Sequence, residues 1–194
     1  MTTTLNEGEQ LVCKILARKR SRANRTAGIR NSKIGGQKDK EIELDGIGGE
    51  LTFCKLYGLY PDFSIYTRSA VDGTDTFDAC LNGVWVDVKT TQCPTGRLLV
   101  AVWKRDGPLP DYYALMIGAF PTYEFKGFAR SSDLDKVGRL GNRGRGPTWE
   151  VLQNKLTFDI PRIDTSIGVY VEAPQPMPVS VPRKQITQVT YGSL

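Results

Sequence analysis

Asn82-Gly83, set between two runs of alternating apolar residues, constrains this chain more than any other pair of residues in it. An Asn-Gly pair in that setting specifies a two-residue type I′ hairpin, because both residues tolerate positive φ. Folded there, Leu81 pairs with Val84, Ala79 with Val86, and Asp78 falls opposite Asp87. Strand side chains alternate between faces, so Asp78, Asp87 and Lys89 project from one side of the sheet and Val86 and Val88 from the other.

Two carboxylates opposed across a ladder repel unless a cation lies between them. A divalent metal with an ammonium beside it removes that conflict, and such a set suits phosphodiester hydrolysis. A plain surface hairpin with a diagonal Asp–Lys pair is the alternative, and it needs that face to be solvated. The chain has no histidine, and Cys13, Cys54, Cys80 and Cys93 form no C-x-x-C pair. Cys/His zinc sites, histidine bases and histidine-activated cysteines are therefore disfavoured. Hydrolysis would have to run on carboxylates, lysine, hydroxyls or a metal. The cysteines read as reduced core residues of an intracellular, cytoplasmic protein. No run reaches the ~18 apolar residues of a membrane span, and no signal-peptide pattern opens the chain.

The net charge of +5 is unevenly spread. Ten Lys/Arg against one acid between Lys14 and Lys40 leave the remainder at −4. A block this one-sided reads as a polyanion-contacting surface, against the simpler reading of a solvated helix face. Thr4-Leu-Asn-Glu7 has the form of a capping box for a helix to about Arg22. Its apolar spacing is Leu11, Val12, Ile15 and Leu16, and its basic face is Lys14, Arg18, Arg22 and Arg25. Residues 26–43 read as a loop. Asp45 is expected to cap a second helix to about Tyr57, ended by Gly58 and Pro61. Within it, Glu50 has Ile47, Phe53, Cys54 and Tyr57 as helical neighbours, so it needs a partner; the alternative is a first-turn acid complementing the helix dipole.

Strands are expected at Phe63–Thr67, Thr76–Leu81, Val84–Thr91, Leu98–Trp103, Tyr112–Ala119 and Glu124–Ala129, with a short helix after Ser132. Gly138–Gly146 holds three arginines and four glycines and reads as a flexible loop, with Arg143 and Arg145 suited to phosphate contact. Thr91 and Gln92 are further candidates for such contact. Trp85 lies on the face of Asp87 and is the aromatic best placed to stack on a base, whereas Trp103, Trp149, Tyr112, Tyr113 and Tyr123 suit core packing better. One domain over 1–163 is expected, with a basic N-terminal part (1–43), a core (44–130) and a proline-rich arm (164–194).

Asp78 followed by Asp87-Val88-Lys89, behind the helical Gly46-Ile-Gly-Gly-Glu50, resembles the core motif of the PD-(D/E)XK nuclease superfamily. The likeness runs over roughly residues 44–130. Phe77 stands where that motif has proline, and Asp75 is a rival for the first acid. The two-residue turn favours Asp78, since Asp75 would fall opposite Thr90 on the other face; a three-residue loop would shift that. The resemblance implies an α/β (α+β) fold, a central mixed sheet flanked by helices as in restriction endonucleases. It implies that Glu50, Asp78, Asp87 and the Val88 carbonyl gather Mg²⁺ or Mn²⁺, with Lys89 orienting or helping to deprotonate the attacking water and offsetting charge in the transition state. DNA, branched or junction DNA among the forms, is the implied substrate, and phage-type enzymes resemble this size and layout. A homodimer would fit cutting both strands. The rivals are a nucleic-acid-binding module of the same fold without catalysis, and a structural or assembly protein using the proline-rich arm.

Overall fold

The computed structural model describes residues 2–28, 38–65, 77–102, 109–142 and 146–159. Asp75, Trp103, Arg143, Arg145, most of the basic loop and the proline-rich arm lie outside them. The elements are β1 (Thr2–Thr4), α1 (Glu7–Thr26), α2 (Asp39–Tyr57), β2 (Ala79–Leu81), β3 (Val84–Thr91), β4 (Leu98–Ala101), β5 (Tyr112–Ala119), β6 (Thr122–Arg130), α3 (Leu134–Val137), β7 (Gly138–Asn142) and β8 (Pro147–Val151).

They form a mixed α+β fold. A five-stranded sheet runs in the order β1-β6-β5-β3-β2, and a smaller one in the order β4-β8-β7. β3 and β5 are parallel, and the other pairings are antiparallel. The helices cover one face of the large sheet, where Val86, Val88, Ala114 and Met116 pack with Leu16, Ile47, Phe53 and Cys54. On the opposite face, Tyr113, Leu115 and Ile117 pack with Leu98, Val100 and Val151 of the smaller sheet. β5 is thus buried on both sides, its alternate residues serving two cores. Among the described residues no helix is long and apolar enough to cross a membrane.

The hairpin folds in the expected register: Asn82 and Gly83 have φ of 51° and 82°, and Leu81 pairs with Val84 and Ala79 with Val86. Burying Val86 and Val88 contributes about 1.5–3 kcal/mol each. A one-residue slip would send Asp87 and Lys89 into that core, so the register is strongly held.

Both helix starts differ from expectation. Asn6 caps α1: its Oδ1 accepts from Glu9 N at 2.9 Å, and Glu9 Oε2 accepts from Asn6 N at 2.7 Å. Thr4 instead lies in β1, paired with β6. The buried row of α1 is Cys13, Leu16, Ala17, Ser21 and Asn24, while Leu11 and Ile15 are 59% and 44% exposed. Of the expected apolar row, Leu16 is therefore buried while Leu11, Val12 and Ile15 face outward. α2 begins at Asp39, so Asp45 is an interior residue. Its carboxylate accepts from Phe120 N at 2.9 Å and Gln92 Nε2 at 2.5 Å, which engages Gln92 in the fold.

Gly48 and Gly49 set the depth at which α2 lies on the sheet. A Cβ at Gly48 would come within 2.2 Å of the Tyr123 hydroxyl, and one at Gly49 within 2.1 Å of Thr90 Oγ1. The segment after α2, expected as a strand, is irregular over the described residues 59–65. Conversely Gly138–Asn142, expected as a loop, is strand β7 paired along β8.

Candidate active site

β3 carries three of the expected residues, and the hairpin brings the fourth to them. Asp78 N donates to Val86 O at 3.1 Å, extending the pairing one residue beyond β2. The Asp78 Oδ2 then accepts from Val88 N at 2.6 Å, so its carboxylate lies at the edge of β3. Backbone N–H and C=O of one strand residue point the same way, so the Val88 carbonyl faces that edge too. Asp87 and Lys89 share the other face of β3, and the Lys89 ammonium contacts Asp87 Oδ1 directly while lying 5.9 Å from the centre of the Tyr113 ring.

Charge in this small volume is crowded. Burial pushes the Asp78 carboxyl well above the usual carboxylate range, and repulsion from Glu50 and Asp87 adds to it; Lys89 and the Val88 amide only partly offset these. Burial alone would pull Lys89 down, but attraction to Asp87 and Asp78 outweighs it and the ammonium is held above its ordinary value. Its two carboxylate neighbours thus favour the ammonium form of Lys89.

Glu50 sits in the middle of α2, which removes the first-turn reading. It faces α1, where Arg20 Nη1 donates to Glu50 Oε2 at 2.9 Å. The same guanidinium donates to the main-chain carbonyls of Asp62 at 2.9 Å and Ser64 at 3.1 Å. Burial works against the charge on Arg20, but Glu50, Asp62 and Asp78 together raise its pKa. Glu50, Asp62 and Asp78 line one small cleft, floored by Leu16, Ile47 and Cys54. Burial and these carboxylates push the Cys54 thiol up to about 12, and burial and Glu50 lift Cys13 to about 11. Neither cysteine is a nucleophile near neutrality.

Arg20 and Asp62 escaped the sequence reading. Arg20 had a signal, a charged residue four positions after Leu16 on the buried side of its helix; Asp62, after a helix stop, had none. Lys14, Arg18, Arg22 and Arg25 are all exposed on α1, as the basic face requires. Tyr113 and Tyr123 are fully buried and Trp149 packs on the second core, whereas Trp85 pairs with Phe77 outside both cores.

As they stand, no three Asp, Glu or Cys side chains among the described residues gather closely enough to hold a metal. The donor chemistry still fits a hard divalent cation: oxygen ligands only, with an Asp78 carboxyl whose repulsion from Asp87 and Glu50 is incompletely relieved. The fit is to Asp78, Asp87 and the Val88 carbonyl, because Glu50 is already paired with Arg20.

No curated protein and no solved structure matches the chain. The model of DUF5843, a family of unknown function, matches residues 2–142, a stretch that holds both long helices, the hairpin and every carboxylate of the cleft; the chain belongs to that family.

Proposed function

We propose that this chain is a metal-dependent DNA endonuclease of the PD-(D/E)XK type, with a restriction-endonuclease-like arrangement of sheet and helices, working in the cytoplasm. The observation that carries the reading is the half-buried Asp78 carboxyl, bonded to the amide of Val88 and crowded by Asp87 and Glu50 with Lys89 alongside. Such crowding costs stability and is maintained where charge is needed for chemistry.

Asp78, Asp87 and the Val88 carbonyl would hold Mg²⁺ or Mn²⁺, which when bound polarises the scissile phosphate and acidifies a water. Lys89 supplies positive charge to the phosphate oxygens as negative charge builds on them, and Asp87 fixes where that ammonium points. Arg20 neutralises Glu50 and keeps the wall of the cleft in place through the Asp62 and Ser64 carbonyls. The exposed cations of α1 contact the DNA backbone.

Plasmid, linear duplex, single-stranded and four-way-junction DNA, each incubated with EDTA, Mg²⁺ or Mn²⁺, test the reading. Cleavage is expected only with the metals. Lys89→Ala should lower the rate about 10²–10³-fold, as loss of a transition-state donor does, while DNA affinity persists. Undiminished cleavage by that variant would end the site assignment.

A second reading, a DNA-binding module of the same fold without catalysis, is favoured by the Arg20–Glu50 pair, which already occupies the third carboxylate. Calorimetry that finds no Mn²⁺ uptake, with DNA affinity intact, would select it.

A further inference from the structure

Two aromatic pairs border the acidic cleft, and the reaction proposed above uses neither. After α2, Tyr60 is 84% exposed and its ring meets Phe63 edge-on with centroids 5.5 Å apart. Pro61, Asp62 and Phe63 wall the same cleft as Glu50 and Asp78. On the hairpin, Phe77 directly precedes Asp78, and its ring centre lies 5.5 Å from that of Trp85, with the planes 35° apart. Trp85 falls on the face of Asp87, by the alternation of β3. None of the four rings belongs to either hydrophobic core.

Tyr60 gains little from folding at that exposure, yet its segment is firmly fixed. Arg20 holds two of its carbonyls, and Asp62 Oδ1 accepts from Ser64 N at 2.8 Å. The anchor comes from α1, whose Arg18, Lys19 and Arg22 are exposed on other sides of the helix from Arg20. Of these rings Phe63 lines the carboxylate cleft, Tyr60 packs on Phe63, and Phe77 adjoins Asp78 in the chain, while the exposed cations of α1 give the same chain a basic surface. That combination is complementary to a nucleic-acid strand with bare base faces, since phosphates answer the cations and bases answer the rings. Intact duplex offers phosphates but keeps its base faces stacked inside.

We propose that Tyr60 and Trp85 are stacking platforms for unpaired nucleobases beside the acidic cleft, so that the strand taken is single-stranded or branched DNA rather than continuous duplex. As a statement about substrate it rests on the nuclease reading; as a statement about binding it does not.

The test is fluorescence anisotropy on the full chain in EDTA, where nothing is cut. The probes are a labelled oligothymidylate, the same strand with abasic sites at its centre, and a duplex of equal length. Tyr60→Ala and Trp85→Ala should each weaken single-strand binding by roughly five- to 150-fold, and duplex binding by no more than about twofold. The abasic strand should bind the native protein as poorly as the ring variants bind the intact one. Tyr60→Phe and Trp85→Phe keep a ring and should retain affinity, which separates stacking from misfolding. Alanine variants that bind the single strand like the native chain would overturn the proposal, including the case where the rings serve a protein partner. Ring-dependent binding without Mn²⁺-dependent cleavage would remove the nuclease reading and leave the platforms standing. Cleavage with no dependence on either ring would do the reverse.

Discussion

Gly46 and Gly49 both lie inside α2, yet alanine should move stability in opposite directions at the two sites. Glycine within a helix is about 0.8–1.0 kcal/mol worse than alanine. A Cβ at Gly46 meets nothing within 4 Å, so Gly46→Ala should gain close to that amount. For a chain of this size a gain of ~1 kcal/mol raises Tm by about 2–4 °C. At Gly49 the added Cβ would fall 2.1 Å from Thr90 Oγ1, 3.2 Å from Thr90 Cβ and 3.3 Å from Thr90 Cγ2. Rotating Thr90 either brings Cγ2 to this point or leaves its Cβ still 3.2 Å away, tighter than ordinary van der Waals contact, so α2 rises from β3. Overpacking of this severity belongs at the upper end of its range, about 3 kcal/mol. Against the propensity gain the net loss is about 2 kcal/mol, a Tm drop of about 4–8 °C. Thermal unfolding of the two variants and of Gly49→Ala/Thr90→Ala measures this directly, and truncating Thr90 should restore most of the loss as a coupling between neighbours. Lifting α2 also carries Glu50 away from Asp78, so DNA cleavage should fall in Gly49→Ala and be spared in Gly46→Ala. If Gly49→Ala stabilises as much as Gly46→Ala, the helix does not sit at this depth and the approach of Glu50 to Asp78 is wrong.

Asp78 titrates in the opposite sense to most native carboxylates. A group whose pKa is raised on folding holds its proton more tightly in the native chain, so stability falls as pH rises from about 4, the unfolded value, through the folded one. Asp78→Asn should therefore be more stable than the native chain at neutral pH without metal, by an amount that grows with pH, and should lose any Tm gain from Mn²⁺; parallel pH curves for the two proteins would refute the crowding. On α1, replacing Lys14, Arg18, Arg22 and Arg25 with glutamine should lower the slope of log affinity against log salt by about 3–4 if each meets one duplex phosphate. An unchanged slope would move the DNA contact elsewhere on the protein.

How much could be read in advance differs from element to element for physical reasons. The β2–β3 hairpin and β5 were legible because their signals are local: a dipeptide that accepts positive φ twice, and runs of residues whose alternation or length matches a strand. β7 was not, because Gly138, Gly141 and Asn142 carry no alternating apolar pattern and the strand is defined by its partner β8. The apolar spacing of α1 identified a helix but misidentified its buried side. Leu16 is buried but Leu11 and Ile15 are not, because the side of α1 that meets α2 also carries Ser21 and Asn24, and that is a property of the pair rather than of either sequence.

The cleft divides along the same line. Asp78, Asp87 and Lys89 are related by one hairpin, so pleat and register sufficed to bring them near one another. Glu50 meets them only through tertiary packing, and the sequence reading could require a partner for it without naming one. That partner is Arg20, 30 residues away, which also anchors the segment bearing Asp62 and Tyr60. A cation built into the chain thus does for Glu50 what the sequence reading assigned to a metal, and Glu50 and Asp78 have different partners. Glu50 has a guanidinium at 2.9 Å, whereas Asp78 has a backbone amide and a lysine whose ammonium already contacts Asp87. The carboxyl whose repulsion is least relieved, Asp78, therefore sits at the edge of β3, toward which the Val88 carbonyl also points. If an ion binds this chain, that edge is where it relieves the most repulsion, and Glu50 with Arg20 forms the wall that keeps the edge in shape.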